Sequence, residues 1–347
     1  MKTLKTAVVG LGRIGWHTHI PQILQRSDRF SLAAVVDVST DRLVEAKNIY
    51  GVKGYTDITN MIHGEKPDLV VIASPTHLHC EHACTAMRLG CDVFLDKPMA
   101  VDYETACVIA KCAEQTGRKL MVYQPHRASA PVNQLMKIVN SGKIGKLCSI
   151  HATRNSYVRR SDWQAFRKFG GGMLNNYGAH YIDALIYMAN DKVRRLYCST
   201  DTVASAGDAD DVVKIIFRTE RGITLDININ QAATLSGPDW LVYGQYGAII
   251  SESTPDGNMQ FHLRWFDPNA VPAASASESL AAANRSYNND IPLPWNEEII
   301  PLDSDCAIAF YDKVYEYFAK EKEPFVPIGE TLYVMQLIAQ CRENAAQ

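Results

Sequence analysis

Lys97 stands in "FLDKPM", where a short apolar run ends, between Asp96 and Pro98. An ammonium so placed can hydrogen-bond an oxygen on which negative charge develops, although by position alone a lysine reads as a solvated surface charge. A second chemical grouping lies in "FGGGMLNNYGAHYID". Three glycines at 170–172 permit an unusual backbone path, and the helix that follows carries His180 one turn after Asn176, with Asp183 three residues beyond. A histidine beside a cationic lysine is kept neutral by like-charge repulsion and can accept a proton near neutral pH. Lys97 and His180 together could therefore manage the proton of an alcohol. Asn176 can hydrogen-bond a hydroxyl but cannot take its proton, so the general-base role falls to His180.

The third grouping is "VVGLGRIG". Gly10, Gly12 and Gly15 stand in G-x-G-x-x-G spacing after a first apolar run, with Arg13 and Ile14 between them at the start of a helical segment. Such glycines allow a tight turn, the approach of a pyrophosphate to helix N-terminal amides, and close packing of helix on strand. Alone the pattern is also that of an ordinary strand-to-helix turn. The next apolar run ends in Asp37, 22 residues after Gly15, close to the spacing of an acid that binds an adenosine ribose. That carboxylate repels a 2'-phosphate, which favours NAD over NADP, while Arg42 nearby leaves some tolerance for NADP. Ser74, Pro75, Thr76 and His79, at the end of the fourth run, fall within reach of the pyrophosphate and nicotinamide ribose. Asp96, Lys97, Pro98 and Gln124 end later runs and complete the expected cofactor side.

Two further clusters have readings of their own. His77, His79, Cys80, His82 and Cys84 could ligate zinc, but lack the paired spacing of zinc sites; cofactor contact and helix packing are the preferred reading, with no metal assigned. Asp208, Asp210 and Asp211 could bind a cation or form a solvated turn, and the turn is preferred.

The elements that must position these groups follow from periodicity. From Thr6 to Gln124, short runs apolar throughout alternate with segments of helical period, the pattern of parallel strands covered on both faces. This predicts an α/β Rossmann domain with a doubly wound parallel sheet over residues 1–124. After it, "APVNQLMKIVNSGKIG" reads as a helix closed by Gly142. "VVKIIFRT", "ITLDININQA" and "MQFHLRWF" then alternate as half-buried strands joined by turns such as that at Gly222. Residues 125–347 are thus expected to form an α+β substrate-binding and oligomerisation domain with a large open mixed or antiparallel sheet. A long surface excursion spans Asp267 to Asn296, and two helices follow, near Ser304–Lys322 and Gly329–Asn344, the last able to pack back on the first domain.

The chain has 347 residues, and 35 Lys and Arg against 38 Asp and Glu give a formal net charge of −3. This is no surplus for a nucleic-acid backbone or an anionic membrane. The first apolar stretch is broken by glycines and has no cleavage site, so it reads as a strand and not a leader. No window is long and apolar enough to span a membrane. Nine cysteines without any C-x-x-C fit reduced, mostly buried thiols and a cytoplasmic protein.

Taken together, GLGRIG, Asp37, the P-T-x-x-H segment, D-K-P and the GGG-x-x-x-N-x-G-x-H run resemble the Gfo/Idh/MocA family of glucose-fructose oxidoreductases and inositol dehydrogenases, over nearly the whole chain. The family usually has E-K-P where D-K-P stands, and an Asp at the position of Asn176. The resemblance implies NAD-dependent hydride transfer at a secondary hydroxyl of a sugar, glycoside or cyclitol, foremost C3 of a glucoside. The alternatives are an inositol dehydrogenase-type enzyme or a non-catalytic NAD- and sugar-binding sensor. It further implies a small-molecule substrate and a homo-oligomer, dimer or tetramer, built through the open sheet. Lys97 would hydrogen-bond the reacting oxygen, His180 exchange the proton and Asn176 hold a neighbouring hydroxyl. Arg154, Tyr157, Arg160, Trp163 and Arg167 are expected on the substrate side, with His126 as a further contact or simply a satisfied polar group.

Overall fold

The computed structural model describes residues 2–273, 276, 278 and 292–346; the Ala- and Ser-rich stretch read as a surface excursion lies mostly outside the described residues. Strands β1 (Leu4–Val9), β2 (Phe30–Val36), β3 (Lys53–Tyr55), β4 (Leu69–Ile72), β5 (Asp92–Leu95) and β6 (Leu120–Val122) form a parallel sheet in the order β3-β2-β1-β4-β5-β6. The order reverses between β1 and β4, and a sheet of this kind opens towards its ligand at the carboxyl ends there. The helices in chain order are α1 (Ile20–Leu24), α2 (Thr40–Tyr50), α3 (Ile58–Glu65), α4 (His79–Arg88), α5 (Tyr103–Thr116), α6 (Pro125–Ala128), α7 (Ala130–Asn140), α8 (Ala179–Ala189), α9 (Phe310–Lys320) and α10 (Ile328–Ala345).

Continuous apolar runs are needed because both faces of this sheet are buried. Val8 points to a cluster with Phe30 and Phe94, whereas its neighbours Ala7 and Val9 join the cluster of the other face. The Val8 face is sealed by Ile20 and Ile23 of α1 and by Phe310, Tyr311, Val314, Tyr315 and Phe318 of α9. Burying each large apolar side chain of α9 contributes roughly 1.5–3 kcal/mol, so a helix from the far end of the chain is integral to the first sheet. That helix begins at Phe310 and not near Ser304, because Asp303 caps a single turn at Ser304–Cys306. The amide of Ile308 then donates to the Ala128 carbonyl at 2.8 Å, outside any helix. Helix α10 packs between α5 and the second sheet.

The second sheet comprises β7 (Leu147–Asn155), β8 (Val193–Asp201), β9 (Val212–Thr219), β10 (Thr224–Asn230), β11 (Trp240–Gly244), β12 (Gly247–Ser253), β13 (Met259–Trp265) and β14 (Asn296–Pro301). Its order is β14-β13-β12-β11-β7-β10-β9-β8, mixed only in that β7 and β10 run parallel. Alternation sorts its side chains: Val213, Ile215 and Phe217 of β9 and Leu225, Ile227 and Ile229 of β10 are fully buried on the side of α8. The intervening Lys214, Ile216, Asp226 and Asn228 remain partly exposed on the other side. All nine cysteines are free thiols. Among the described residues no helix is long and apolar enough to cross a membrane.

Candidate active site

The ends of β1 and β2 form a cradle. A Cβ on Gly10 would meet the Ala73 carbonyl oxygen at 2.6 Å and one on Gly15 would lie 1.9 Å from the Gly10 oxygen, so both glycines are demanded by the protein's own packing. Gly12 differs: nothing lies within 4 Å of its Cβ position. That open flank is what a pyrophosphate approaching backbone amides requires. The helix entered through Arg13 and Ile14 has no side-chain cap, which leaves its leading amides for an anion. Asp37 is buried, its Oδ2 accepting the Leu11 amide at 2.7 Å and its Oδ1 the Ser39 amide at 2.9 Å, with Arg42 Nη1 3.4 Å from Oδ2. The acid therefore fixes the glycine loop. These features fit a dinucleotide.

At the end of β4, Ser74 and Thr76 are buried beside Pro75, and the Ser74 hydroxyl pairs with His82 Nδ1 at 3.0 Å. His79, expected at the cofactor, proves to be a structural tie. Its ring is 1% exposed, with Nδ1 2.9 Å from the Pro98 carbonyl and Nε2 2.9 Å from that of Ser74. Burial pushes its pKa down to about 4, so the neutral ring donates to one of the two carbonyls. Its role is to join the loop after β4 to the loop carrying Lys97. Of the other residues in that cluster, His77 packs against Phe169 with ring centroids 5.1 Å apart, and His82 Nδ1 pairs with the Ser74 hydroxyl.

Lys97 crosses from the first sheet to the second part of the chain. Its Nζ donates to the Asn176 side-chain oxygen at 2.7 Å and to the Asn176 carbonyl at 3.1 Å. The Lys97–Pro98 peptide is cis. Burial lowers the ammonium's pKa to about 8, Asp96 working against this and Arg13 and Arg160 reinforcing it. Asp96, whose carboxylate accepts the Lys97 amide at 2.8 Å, is itself pushed up to about 6 by burial, opposed by Lys97 and Arg13.

His126 and His180 stack with ring centroids 4.4 Å apart and 17° between planes. Burial and then Lys97 hold both below the usual imidazole range, His126 at about 4 with Arg154 adding to the effect, and His180 well below that range with His126 adding. Both rings are therefore neutral at physiological pH. Eight buried side-chain polar atoms lack a partner among the described residues. Four of them, Gln124 Oε1, His126 Nδ1, His180 Nδ1 and Arg160 Nε, belong to residues expected at this crevice. Unpaired buried polar atoms are costly unless water or a ligand satisfies them. Two cavities of about 360 and 340 Å³ lie elsewhere, against the second sheet, and include neither Lys97 nor His180.

The substrate-side expectations separate. Arg160 reaches Gln164, and Gln164 in turn accepts from Asn176 at 3.4 Å. Arg154 lies 5.4 Å over the Tyr177 ring, and Trp163 is half-buried in a short turn. Tyr157 is 59% exposed, and Arg167 is exposed, its backbone amide bound to Asp208. Arg160 and the exposed Arg154 thus lie within electrostatic reach of Lys97 and His126, and Tyr157 and Arg167 stand at the surface.

Residues that sequence reasoning passed over hold these groups. Arg127 forms a bidentate pair with Asp183 at 2.6 and 2.7 Å, both side chains buried. Because Arg127 follows His126 and Asp183 lies one turn after His180, the pair fixes the stack of the two rings. Of the three aspartates read as a solvated turn, Asp208 is exposed and the other two are anchors. Asp210 accepts the Leu174 amide at 2.7 Å beneath the π-helical turn Leu174–Gly178 that bears Asn176. Asp211, 1% exposed, accepts the amides of Val203 and Ala204 at 2.8 and 2.7 Å and that of Ser205. A charged residue spaced one helical turn from a site histidine was the available signal for Asp183; nothing local marked Gln164.

Residues 4–124 match the family model described as oxidoreductase family, NAD-binding Rossmann fold, and residues 132–250 match the GFO/IDH/MocA C-terminal domain. Among curated proteins, the chain is 30% identical over 192 residues to D-glucoside 3-dehydrogenase of Escherichia coli, covering 53% of this chain and 54% of that one. The chain spans about half the length of the curated relatives it matches first. An NAD-binding protein from Listeria innocua superposes with a TM-score of 0.85 at 23% identity, covering 100% of this chain and 98% of that one. The WlbA dehydrogenase of Bordetella pertussis, solved with NADH and UDP-GlcNAcA, gives 0.78 at 22% identity, covering 99% and 97%. At these identities the structures show the fold. With both of its domain models matched in order, the chain belongs to the GFO/IDH/MocA family of oxidoreductases, and its first sheet is the family's NAD-binding Rossmann fold.

Proposed function

We propose that the chain is an NAD-dependent dehydrogenase acting on a secondary hydroxyl of a sugar, glycoside or cyclitol, foremost at C3 of a glucoside, with an inositol as the alternative substrate. The observation that carries this is Lys97: an ammonium at the carboxyl edge of the NAD-binding sheet, held 2.7 Å from Asn176 beside two neutral histidines. NAD, when bound at the glycine loop, supplies the acceptor or donor of a hydride. The chain's own residues manage the oxygen. Lys97 donates a hydrogen bond to it as negative charge develops, and the unpartnered Nδ1 of His180 takes the hydroxyl proton in oxidation and returns it in reduction. Asn176 orients a neighbouring hydroxyl. Gln124, Asp96 and the Ser74–Thr76 loop line the cofactor side, with Asp37 favouring NAD over NADP. We place the substrate-binding part of the chain from residue 125 onward, the oligomer contact on the open face of the second sheet, and the protein in the cytoplasm.

The test is to mix purified protein and NAD with glucosides, free sugars and inositols while following reduced-nicotinamide absorbance. Hydride transfer to NAD from at least one panel member is expected. Tight NAD binding with no hydride transfer from any member would replace this reading with that of a sensor.

A further inference from the structure

Lys97, Asn176, Gln164 and Arg160 form one hydrogen-bonded chain with a cation at each end and only amides between. Lys97 Nζ donates to Asn176 Oδ1 at 2.7 Å, Asn176 Nδ2 to Gln164 Oε1 at 3.4 Å, and Arg160 Nη1 to the same oxygen. The hydrogen-bond partners of Lys97 Nζ are both neutral. The nearby carboxylate, Asp96, is engaged with the Lys97 backbone amide. At the other end Arg160 is 15% exposed, and its one ion pair, 3.2 Å to Asp162, is to a carboxylate that is 57% exposed. Arg160 Nε is buried without a partner, and its Nη2 makes no hydrogen bond among the described residues. The Nε–Nη2 edge is the side-on fork of a guanidinium, the geometry that matches a carboxylate with two parallel hydrogen bonds. Arg154, with Asp239 nearby, adds a further positive charge that reaches His126.

Partly desolvated cations are costly when the carboxylates near them match them only in part, as Asp96, held by a backbone amide, and the exposed Asp162 do here. Where the family usually places an Asp, Asn176 supplies no negative charge. We infer that the charge comes with the substrate: the sugar or glycoside taken by this site bears a carboxylate, which the free edge of Arg160 anchors while its hydroxyl faces Lys97. The inference rests on the dehydrogenase reading for the placement of the reacting hydroxyl.

The test compares methyl glucoside, methyl glucuronide and glucose phosphate, by turnover with NAD and by calorimetric binding to the NAD-loaded protein. A charge-assisted bidentate contact predicts a kcat/KM and an affinity about tenfold to a hundredfold higher for the glucuronide than for the glucoside. That ratio should shrink as salt rises. Arg160→Gln should bring the ratio towards one and Arg160→Lys should keep part of it, each checked for an unchanged melting temperature. Asn176→Asp, which adds a protein carboxylate beside Lys97, should also lower the ratio. Equal or better use of the neutral glucoside overturns the inference and leaves the dehydrogenase reading standing; preference for the phosphate overturns the carboxylate. Preferential binding of the glucuronide without hydride transfer upholds the anion site and removes the dehydrogenase reading. Absence of both binding and turnover across the panel overturns both.

Discussion

The two sides of the crevice are built from different materials. On the cofactor side the decisive features are backbone ones: strand ends, amides, and glycines whose missing Cβ atoms leave room for Ala73, Gly10 or a ligand. On the other side the decisive features are long-range side-chain pairs, Lys97 with Asn176 and Arg127 with Asp183. A backbone site is specified by short local patterns, whereas a side-chain site depends on which distant elements the fold brings together. The first can be damaged by adding an atom, the second by removing a charge.

The largest expected effect is at the joint between the two sides. Lys97→Ala removes the donor to the reacting oxygen and should lower kcat by roughly 10²–10⁴-fold, the range of lost transition-state hydrogen bonding and acid-base assistance. NAD affinity, measured by titration, should stay within a few-fold, because the cradle around Gly12 and Asp37 is untouched. A variant that retained most of its turnover would remove Lys97 from the chemistry.

Arg127→Met tests the side-chain half as structure. Leaving Asp183 as an uncompensated buried carboxylate should cost about 3–5 kcal/mol of folding stability by denaturant titration. The double change Arg127→Met with Asp183→Leu should recover much of this, since replacing a whole buried pair by apolar groups is often neutral. If the single variant were as stable as the parent, the pair would not be what holds His126 on His180.

The same contrast decides what could be read in advance. The parallel sheet and the glycine loop follow from local runs and spacing, because β1, β2, β4, β5 and β6 are apolar runs, whereas the short exposed edge strand β3, Lys53–Tyr55, carries no such signal. The mixed second sheet was legible as alternation in β9, β10 and β13, but its order was not, since β7 pairs with β10 and β11 across long loops. His79, placed at the cofactor by position, also has its nitrogens 2.9 Å from the backbone carbonyls of Ser74 and Pro98, which no residue type announces. Asp210 and Asp211 looked solvated because acidic turns usually are. Asp211 is buried and Asp210 half-buried because the 203–205 loop and the π-helical turn at Asn176 present free amides to them. The start of α9 was misjudged because an Asp303 cap and a single bond to Ala128 hold the chain out of helix.

Gly12 sharpens the backbone half. Nothing in the protein lies near its Cβ position, so Gly12→Val should leave the melting temperature close to that of the parent. It should nevertheless weaken NAD about tenfold to a hundredfold, by placing a side chain where the backbone must meet the pyrophosphate. Gly15→Ala is the control of opposite kind: its Cβ would lie 1.9 Å from the Gly10 oxygen, so stability falls along with binding. Parent-like NAD affinity in Gly12→Val would mean that the open flank is not the cradle.

The smallest effect expected is a shift in pH dependence, and it bears on both halves at once. Lys97 is held at about 8, down from 10.5, chiefly by burial. If the protonated amine is the working form, kcat/KM for oxidation falls as pH rises through about 8, since that ratio reports groups of the free enzyme. Stability moves the other way. A lysine whose folded pKa is depressed penalises the fold below about 8, and the penalty is relieved as pH rises from there towards 10.5. Asn176→Asp places an anion against Nζ and so favours the charged form. The falling limb should then move up by about one pH unit, corresponding to about 1.4 kcal/mol, and the alkaline gain in stability should shrink. A limb that stayed in place while stability changed would assign the titration to another group, Asp96 being excluded by its direction, because burial holds it near 6 and its ionisation would raise activity with pH only if its carboxylate were required. Measuring both profiles on one variant therefore separates the lysine's role at the oxygen from its cost to the fold.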